Sequence, residues 1–409
     1  MPNATFESLL TSQLREYAEA GVRPIDRFAI AEETIASGRA SKGSRLSFRL
    51  GRRSLVLALA GLVILAMAAS VALVGSRLVV PAPLPIRHTY LNELVSASDL
   101  PTPMSSPALV TLADGRVLVV GGGGDVSHGT RALVYDPATG ASVSAGPMLS
   151  ADTLVVSAAL RLLDGRVLVV GAADSQVFDP ATMQFARVGP MGTAPRWGAA
   201  TALLPDGRVL VTGGSPLNGE GAPVSSADLF DPGTLTFSTT GSMAVARAGH
   251  STVTLPDGRA FVTPGASRYA EVYDPSTGTF GPAGTTSEHI DGRAIAMPDG
   301  RVAILASSQL PGRLVVWRWD PTSRTFPKVS DLPEAITDAT LLDDGRIFLI
   351  GLCHGRPTGW TGVLDPTTGV TIPTPGTRAC RPTSTRLADG RVLIVGGLEP
   401  ALPTVEIFR

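Results

Sequence analysis

Lysine is almost missing from this chain. Only Lys42 and Lys328 occur in 409 residues, so arginine carries nearly all the positive charge. That pattern reads as compositional bias and points to no mechanism. Cysteine is as scarce: Cys353 and Cys380 allow one disulfide at most. Residues 1–53 contain neither His nor Cys, which excludes a zinc site built from those ligands there. A basic stripe is also lacking. Residues 81–409 hold 24 basic and 29 acidic side chains, a net charge of −5. Binding to a phosphate backbone needs the opposite balance, so no nucleic-acid partner is expected. One stretch lacks charge altogether: 54–76 has no Asp, Glu, Lys or Arg in 23 residues.

About 20 apolar residues cross a bilayer as a helix, and residues 54–76 meet that length. The small residues Ala66, Ala68, Ala69 and Ser70 imitate a signal-peptide cleavage site. Signal peptides, however, begin near the N-terminus with a short apolar core, and here 53 residues precede a long one. The reading is a retained transmembrane helix and a single-pass anchor in the cell membrane. Lys42, Arg45, Arg49, Arg52 and Arg53 crowd its N-terminal side, with only Arg77 and Arg87 soon after it. The positive-inside rule then puts residues 1–53 in the cytoplasm and the rest outside, an extracytoplasmic location. Residues 77–90 form a linker stiffened by Pro81, Pro83 and Pro85. The head, 1–53, is expected to contain two short helices. Phe6, Leu9, Leu10, Leu14 and Tyr17 recur at helical spacing, Gly21 and Pro24 interrupt, and Phe28, Ala31 and Ile35 follow Asp26.

What the remaining chain has in quantity is repetition. Asp-Gly-Arg occurs seven times, at Asp114, Asp164, Asp206, Asp257, Asp299, Asp344 and Asp389. The intervals are 50, 42, 51, 42, 45 and 45 residues, a period that marks a repeat architecture. Each triplet separates two apolar runs, such as 108–112 and 117–120. Asp-Gly in that setting signals a hairpin, read here as a type I′ turn. Seven residues after each Asp stand Gly121, Gly171, Gly213, Pro264, Ala306, Gly351 and Gly396. A second glycine follows in three copies, at Gly122, Gly214 and Gly397. A third strand then ends before Asp-Pro, as in Tyr135-Asp136-Pro137, Phe230-Asp231-Pro232 and Tyr273-Asp274-Pro275.

This order of strand, turn, strand, glycine pair, aromatic strand and turn resembles the kelch repeat, as in the central propeller of the galactose oxidase family. The resemblance covers 91–409 and is weakest in the fifth copy. It implies an all-β fold, a seven-bladed kelch-type β-propeller. The chain ends on 405–408, which aligns with the third strand 270–273, one strand short of a blade. The strand near Leu94 is therefore expected to complete the last blade and close the ring. The resemblance also raises copper: catalysis in galactose oxidase needs two Tyr, two His and a Cys linked to one Tyr. Here Tyr135 and Tyr273 are repeat-core positions, and neither Cys lies in a matching motif. No metal and no cofactor are expected.

Loops opposite the Asp-Gly-Arg turns hold the distinctive side chains: Arg196, Trp197, Arg247, His250, Glu288, His289, His354, Arg356, Trp360, Arg378 and Arg381. These are the ligand-binding candidates. Arg247 and His250 match the Arg-x-x-His-Ser that opens many kelch blades, where the pair chiefly holds the blade edge. Cys353 leaves the sixth blade and Cys380 enters the seventh on the same face, so a disulfide is expected outside the cytoplasm. No residue set reads as catalytic. The leading expectation is a membrane-anchored module that binds a protein or carbohydrate. Two alternatives remain. The layout of short head, single span and external domain resembles membrane-anchored anti-sigma factors, which would give residues 1–53 a cytosolic partner and the propeller a sensing role. The other is a carbohydrate-active enzyme working on the loop face.

Overall fold

The computed structural model describes residues 90–409, apart from 122–130, 150–155, 172–173, 193–195, 217–220, 291, 308–313, 333–334, 354–357 and 398–401. All of these belong to the C-terminal unit of the chain, Pro85–Arg409. The expected head helices and the span at 54–76 lie outside the described residues. Among the described residues there is no helix, and so none long and apolar enough to cross a membrane.

The described chain forms a seven-bladed β-propeller of four-stranded antiparallel sheets. Blade 1 runs through Ala108–Thr111, Val117–Val120, Ala132–Tyr135 and Ser142–Ser144 in chain order. Blades 2 to 6 repeat that order. Blade 7 takes three strands from the end of the chain, Thr383–Arg386, Val392–Val395 and Val405–Phe408. Its fourth is Leu94–Ser96, with Leu94 opposite Phe408 and Val95 opposite Ile407. The ring thus closes by strand pairing between the two ends of the domain, which leaves no unpaired end at the junction. Tyr90 fastens the segment just before that strand: its hydroxyl donates to Gly390 O at 2.7 Å, and its ring stacks on Phe408.

Burial explains why the inner strands read as unbroken apolar runs rather than alternating ones. Val117, Leu118, Val119 and Val120 are all fully buried. Val117 and Val119 face blade 7, while Leu118 and Val120 face blade 2. Every junction between neighbouring blades has its own apolar cluster of this kind. Both faces of a blade are covered, so both side-chain directions must be apolar. The outermost strands see water and are polar, as in Thr236–Thr239.

The Asp-Gly-Arg turns differ from the expected type I′. Only the glycines have positive φ, between 84° and 91°, whereas type I′ needs it at two residues. In blade 1, Gly115 N–H donates to Leu112 O and Leu112 N–H donates to Arg116 O. This is a type I turn whose left-handed glycine forms a bulge, the commonest longer hairpin loop. The Asp accounts for the preference: Asp114 Oδ1 accepts the backbone N–H of Arg116 and Oδ2 accepts its Nε.

Candidate functional site

Strand direction sorts the loops onto two faces. One carries the Asp-Gly-Arg and Asp-Pro turns, and the other carries the loops that join second to third strands and blade to blade. Most expected site residues belong to the second, the loop face.

Two of them are inside the fold. Arg196 precedes blade 3 and pairs with Asp228 in strand Ala227–Asp231; their side chains are 2% and 0% exposed. Arg196 Nη1 also donates to the carbonyls of Gly213 and Ser226. Arg247 repeats the arrangement one blade later. It pairs with Glu271 in strand Tyr269–Asp274 and donates to the carbonyls of Thr263 and Tyr269 at 2.6 and 2.8 Å. Burial lowers both guanidinium pKa values, opposed by the neighbouring carboxylate. These arginines clamp the loop between second and third strands, so they are not free to meet a ligand. The glycine pair serves the same junction. A Cβ on Gly213 would stand 2.3 Å from the carbonyl oxygen of Arg247, which Gly214 N–H binds at 2.8 Å. Only a bare backbone lets the incoming loop of the next blade pass there.

His250 is 5% exposed. Its Nε2 lies 2.8 Å from Thr212 Oγ1, which also contacts Thr252 Oγ1, tying blade 3 to blade 4. Burial, helped by the charge of Arg247, lowers its pKa to about 3, so the ring is neutral at ordinary pH. Trp197, beside Arg196 in a two-residue ladder with Ser215–Pro216, is 54% exposed and open to a partner. Trp360 is half-buried against the cluster between blades 5 and 6. Glu288 and His289 sit in an irregular loop before blade 5, the first half-buried and the second exposed. Arg378 holds the ring closure, reaching Asp99, Glu406 and the carbonyl of Val405. Burial raises the pKa of Glu406, opposed by Arg378. Arg381 is exposed, with φ 53°. His354 and Arg356 lie outside the described residues. Cys353 and Cys380 are joined as a disulfide with Cα atoms 5.6 Å apart. Among the described residues, no three His, Cys, Asp or Glu side chains gather as around a metal ion. Tyr135 and Tyr273 are fully buried core residues.

The described candidates therefore spread over the loop face from blade 3 to blade 7 and do not converge on one spot. Between them lies a feature that the sequence reading missed. Arg293 in the innermost strand of blade 5, Gly292–Ala296, forms an ion pair with Asp338 in that of blade 6, Ile336–Leu341. Asp338 Oδ2 in turn accepts the N–H and hydroxyl of Ser384 in blade 7, at 2.5 and 2.7 Å. Three blades meet on one carboxylate. A signal existed. Six residues before the Asp of each turn stand Ala108, Ala158, Ala200, Ser251, Arg293, Asp338 and Thr383. Two neighbouring blades carry opposite charges in a column otherwise small and neutral. A cleft of about 140 Å³ opens beside this pair, lined also by Leu305, Leu314 and Ile336.

No protein-family model matches the chain. None of the curated proteins matches it either. Solved structures do share its shape. A fungal alcohol oxidase of the AA5 family, in complex with copper, superposes with a TM-score of 0.57 at 17% identity, over 77% of this chain and 75% of that one. A streptogramin B lyase superposes with a TM-score of 0.57 at 14% identity, over 78% of this chain and 97% of that one. Identities this low establish the propeller fold and leave the activity to the site itself.

Proposed function

We propose that this chain is a membrane-anchored, kelch-type propeller whose loop face binds a ligand outside the cytoplasm. Its parts are a cytoplasmic head at 1–53, a span at 54–76, a linker at 77–90 and the propeller at 91–409. The uncharged stretch and the basic cluster before it support the anchor and its direction. The order of turns and glycine pairs supports the kelch assignment.

One observation carries the binding role: the two faces treat their arginines differently. All seven Asp-Gly-Arg arginines pair with the Asp two residues before them, and Arg386, at the turn end of blade 7, pairs with Asp343 of the blade 6 turn. On the loop face Arg293 is half-exposed beside a cleft, with its charge partner in another blade. Exposed Trp197 adds an aromatic anchor to that face.

Two experiments test the reading. Protease added to intact cells should remove the propeller and spare the head; loss of the head alone reverses the topology. The full-length chain is then presented to protein and glycan arrays. Capture should fall with Trp197→Ala or Arg293→Gln and persist with Arg116→Ala. Equal losses on the turn face would overturn the assignment of the binding face.

A further inference from the structure

Arg293 is unlike the buried clamp arginines Arg196 and Arg247. Its Nη1 goes to Asp338, and no described residue accepts from its Nε or Nη2. Its side chain is 51% exposed, while that of Asp338 is 5% exposed. Asp338 is shielded further because Ser384 occupies its second oxygen with two donors. The charge that a ligand meets is therefore positive. The carboxylate behind it fixes the guanidinium in one orientation, with one edge of the fork open.

The adjoining cleft supplies the rest of the chemistry. Leu305 and Leu314 are buried walls, and Ile336 is half-buried. Thr337 also lines it, but its hydroxyl is spent on the carbonyl of Ile350. The cleft of about 140 Å³ suits a small ligand. The hydroxyls of a sugar acid would lie unpaired against Leu305 and Leu314, which is costly. A planar anion on a short aliphatic chain fits both halves. Arginine binds carboxylates through two parallel hydrogen bonds, which suits the open edge.

We propose that the cleft between blades 5 and 6 binds a short-chain aliphatic carboxylate, with Arg293 gripping the carboxylate and Leu305, Leu314 and Ile336 enclosing the chain. Asp338 is a positioning residue that aims the guanidinium. The proposal rests on the reading of the loop face as the recognition surface.

Isovalerate and its neutral amide, isovaleramide, are titrated calorimetrically into the full-length chain at pH 7. The acid should bind at least about tenfold more tightly than the amide, the scale of a charge-assisted hydrogen bond. Arg293→Gln should lose about as much. Because that variant strips a buried carboxylate of its partner and risks misfolding, Ile336→Phe is the second test. It fills the cleft and leaves the ion pair intact, and it too should weaken isovalerate about tenfold. Equal affinity for acid and amide, no heat from isovalerate, or unchanged binding by Ile336→Phe would each overturn the proposal. An array ligand of other chemistry that still depends on Trp197 would leave the binding role of the loop face standing while this assignment falls.

Discussion

The arginines of the Asp-Gly-Arg turns each fold back on an Asp two residues away, whereas Arg196, Arg247 and Arg378 of the loop face reach across the blade. Arg116 and Asp114 are 34% and 48% exposed, and water can replace most of what each gives the other. Arg247 and Glu271 are 1% and 6% exposed, and nothing can replace either. The turn is repeated nearly unchanged seven times because its demands are local: a left-handed glycine and a carboxylate that caps its own hairpin. Among the described residues, the clamp occurs where a blade has both an arginine in its incoming loop and an acid in its third strand. Blades 3, 4 and 7 have Asp228, Glu271 and Glu406 there. Blade 2 has Gln176, which accepts the N–H of Leu149, and blades 1, 5 and 6 have Leu133, Trp317 and Gly362. Uniformity on one face thus marks what a hairpin needs, and divergence on the other marks where blades are joined in different ways.

The largest expected effect tests that contrast directly. Arg247→Ala abandons a buried carboxylate, and breaking such a pair costs about 3–5 kcal/mol. Arg116→Ala removes a partly exposed pair and should cost about 0–1 kcal/mol. Urea unfolding of both variants gives the comparison, and similar midpoints would erase the distinction between the faces. Replacing both partners, as in Arg247→Met with Glu271→Leu, should recover part of the loss, because the desolvated charges go together.

Where blade 7 begins, the disulfide adds a covalent tie to the polar clamp. The loop it closes spans 27 residues, so chain entropy assigns it roughly 3–4 kcal/mol. Cys353→Ala with Cys380→Ala should lower stability by that amount. Peptide mass spectrometry without reduction should find the two cysteines linked in the purified full-length chain. Two alkylatable thiols there would mean that strand pairing and Arg378 hold this junction alone.

How much of this was readable beforehand follows from the range of each interaction. The hairpins and the ring closure were legible, because turn glycines and the aligned strands 270–273 and 405–408 are local patterns. The turn type was misread, because Asp-Gly suits both geometries and only the φ of the Asp decides. Arg196 stood among the ligand candidates because sequence shows which loop holds it but not which way it faces, whereas Arg247 and His250 match a motif that holds the blade edge, and Arg247 is buried in that role. The acids of both arginines, Asp228 and Glu271, sit in strands that otherwise read as apolar core. Arg293 and Asp338 stand 45 residues apart in separate blades, and only the closed ring makes them neighbours.

A smaller effect concerns acid. His250 has a folded pKa of about 3 against 6.5 unfolded, so the unfolded chain binds more protons between those values. Its contribution is complete above pH 6.5 and is lost as pH falls toward 3. At pH 5 the loss is about 2 kcal/mol. His250→Gln keeps a side-chain amide near Thr212 and cannot titrate. The stability difference between wild type and this variant should therefore shrink or reverse in favour of the variant as pH drops from 7 to 5. A difference independent of pH would mean that the imidazole is solvated in the folded protein.

The smallest effect lies on the turn face and carries the opposite sign. After each Asp-Pro the chain needs a left-handed residue, supplied by Gly140 with φ 71°, Gly278 with φ 68° and Gly369 with φ 78°. Three blades use other residues, Met183, Leu235 and Arg324, at φ 55–58°. A side chain in that conformation costs about 1–2 kcal/mol. Met183 and Leu235 recover some of it by packing against apolar clusters. Arg324 is exposed, so its strain is not offset in that way. Arg324→Gly removes the strain and adds about 0.5–1 kcal/mol of chain entropy to the unfolded state. The net gain should be about 0.5–1 kcal/mol, read as a higher urea midpoint. Gly278→Ala is the converse. The nearest atom to its new Cβ would be Thr240 Oγ1 at 3.4 Å, so space is adequate and any loss reports backbone strain alone. If Arg324→Gly lowers stability, the left-handed position in blade 5 is held by contacts of the arginine side chain and the local rule of the turn face does not govern it.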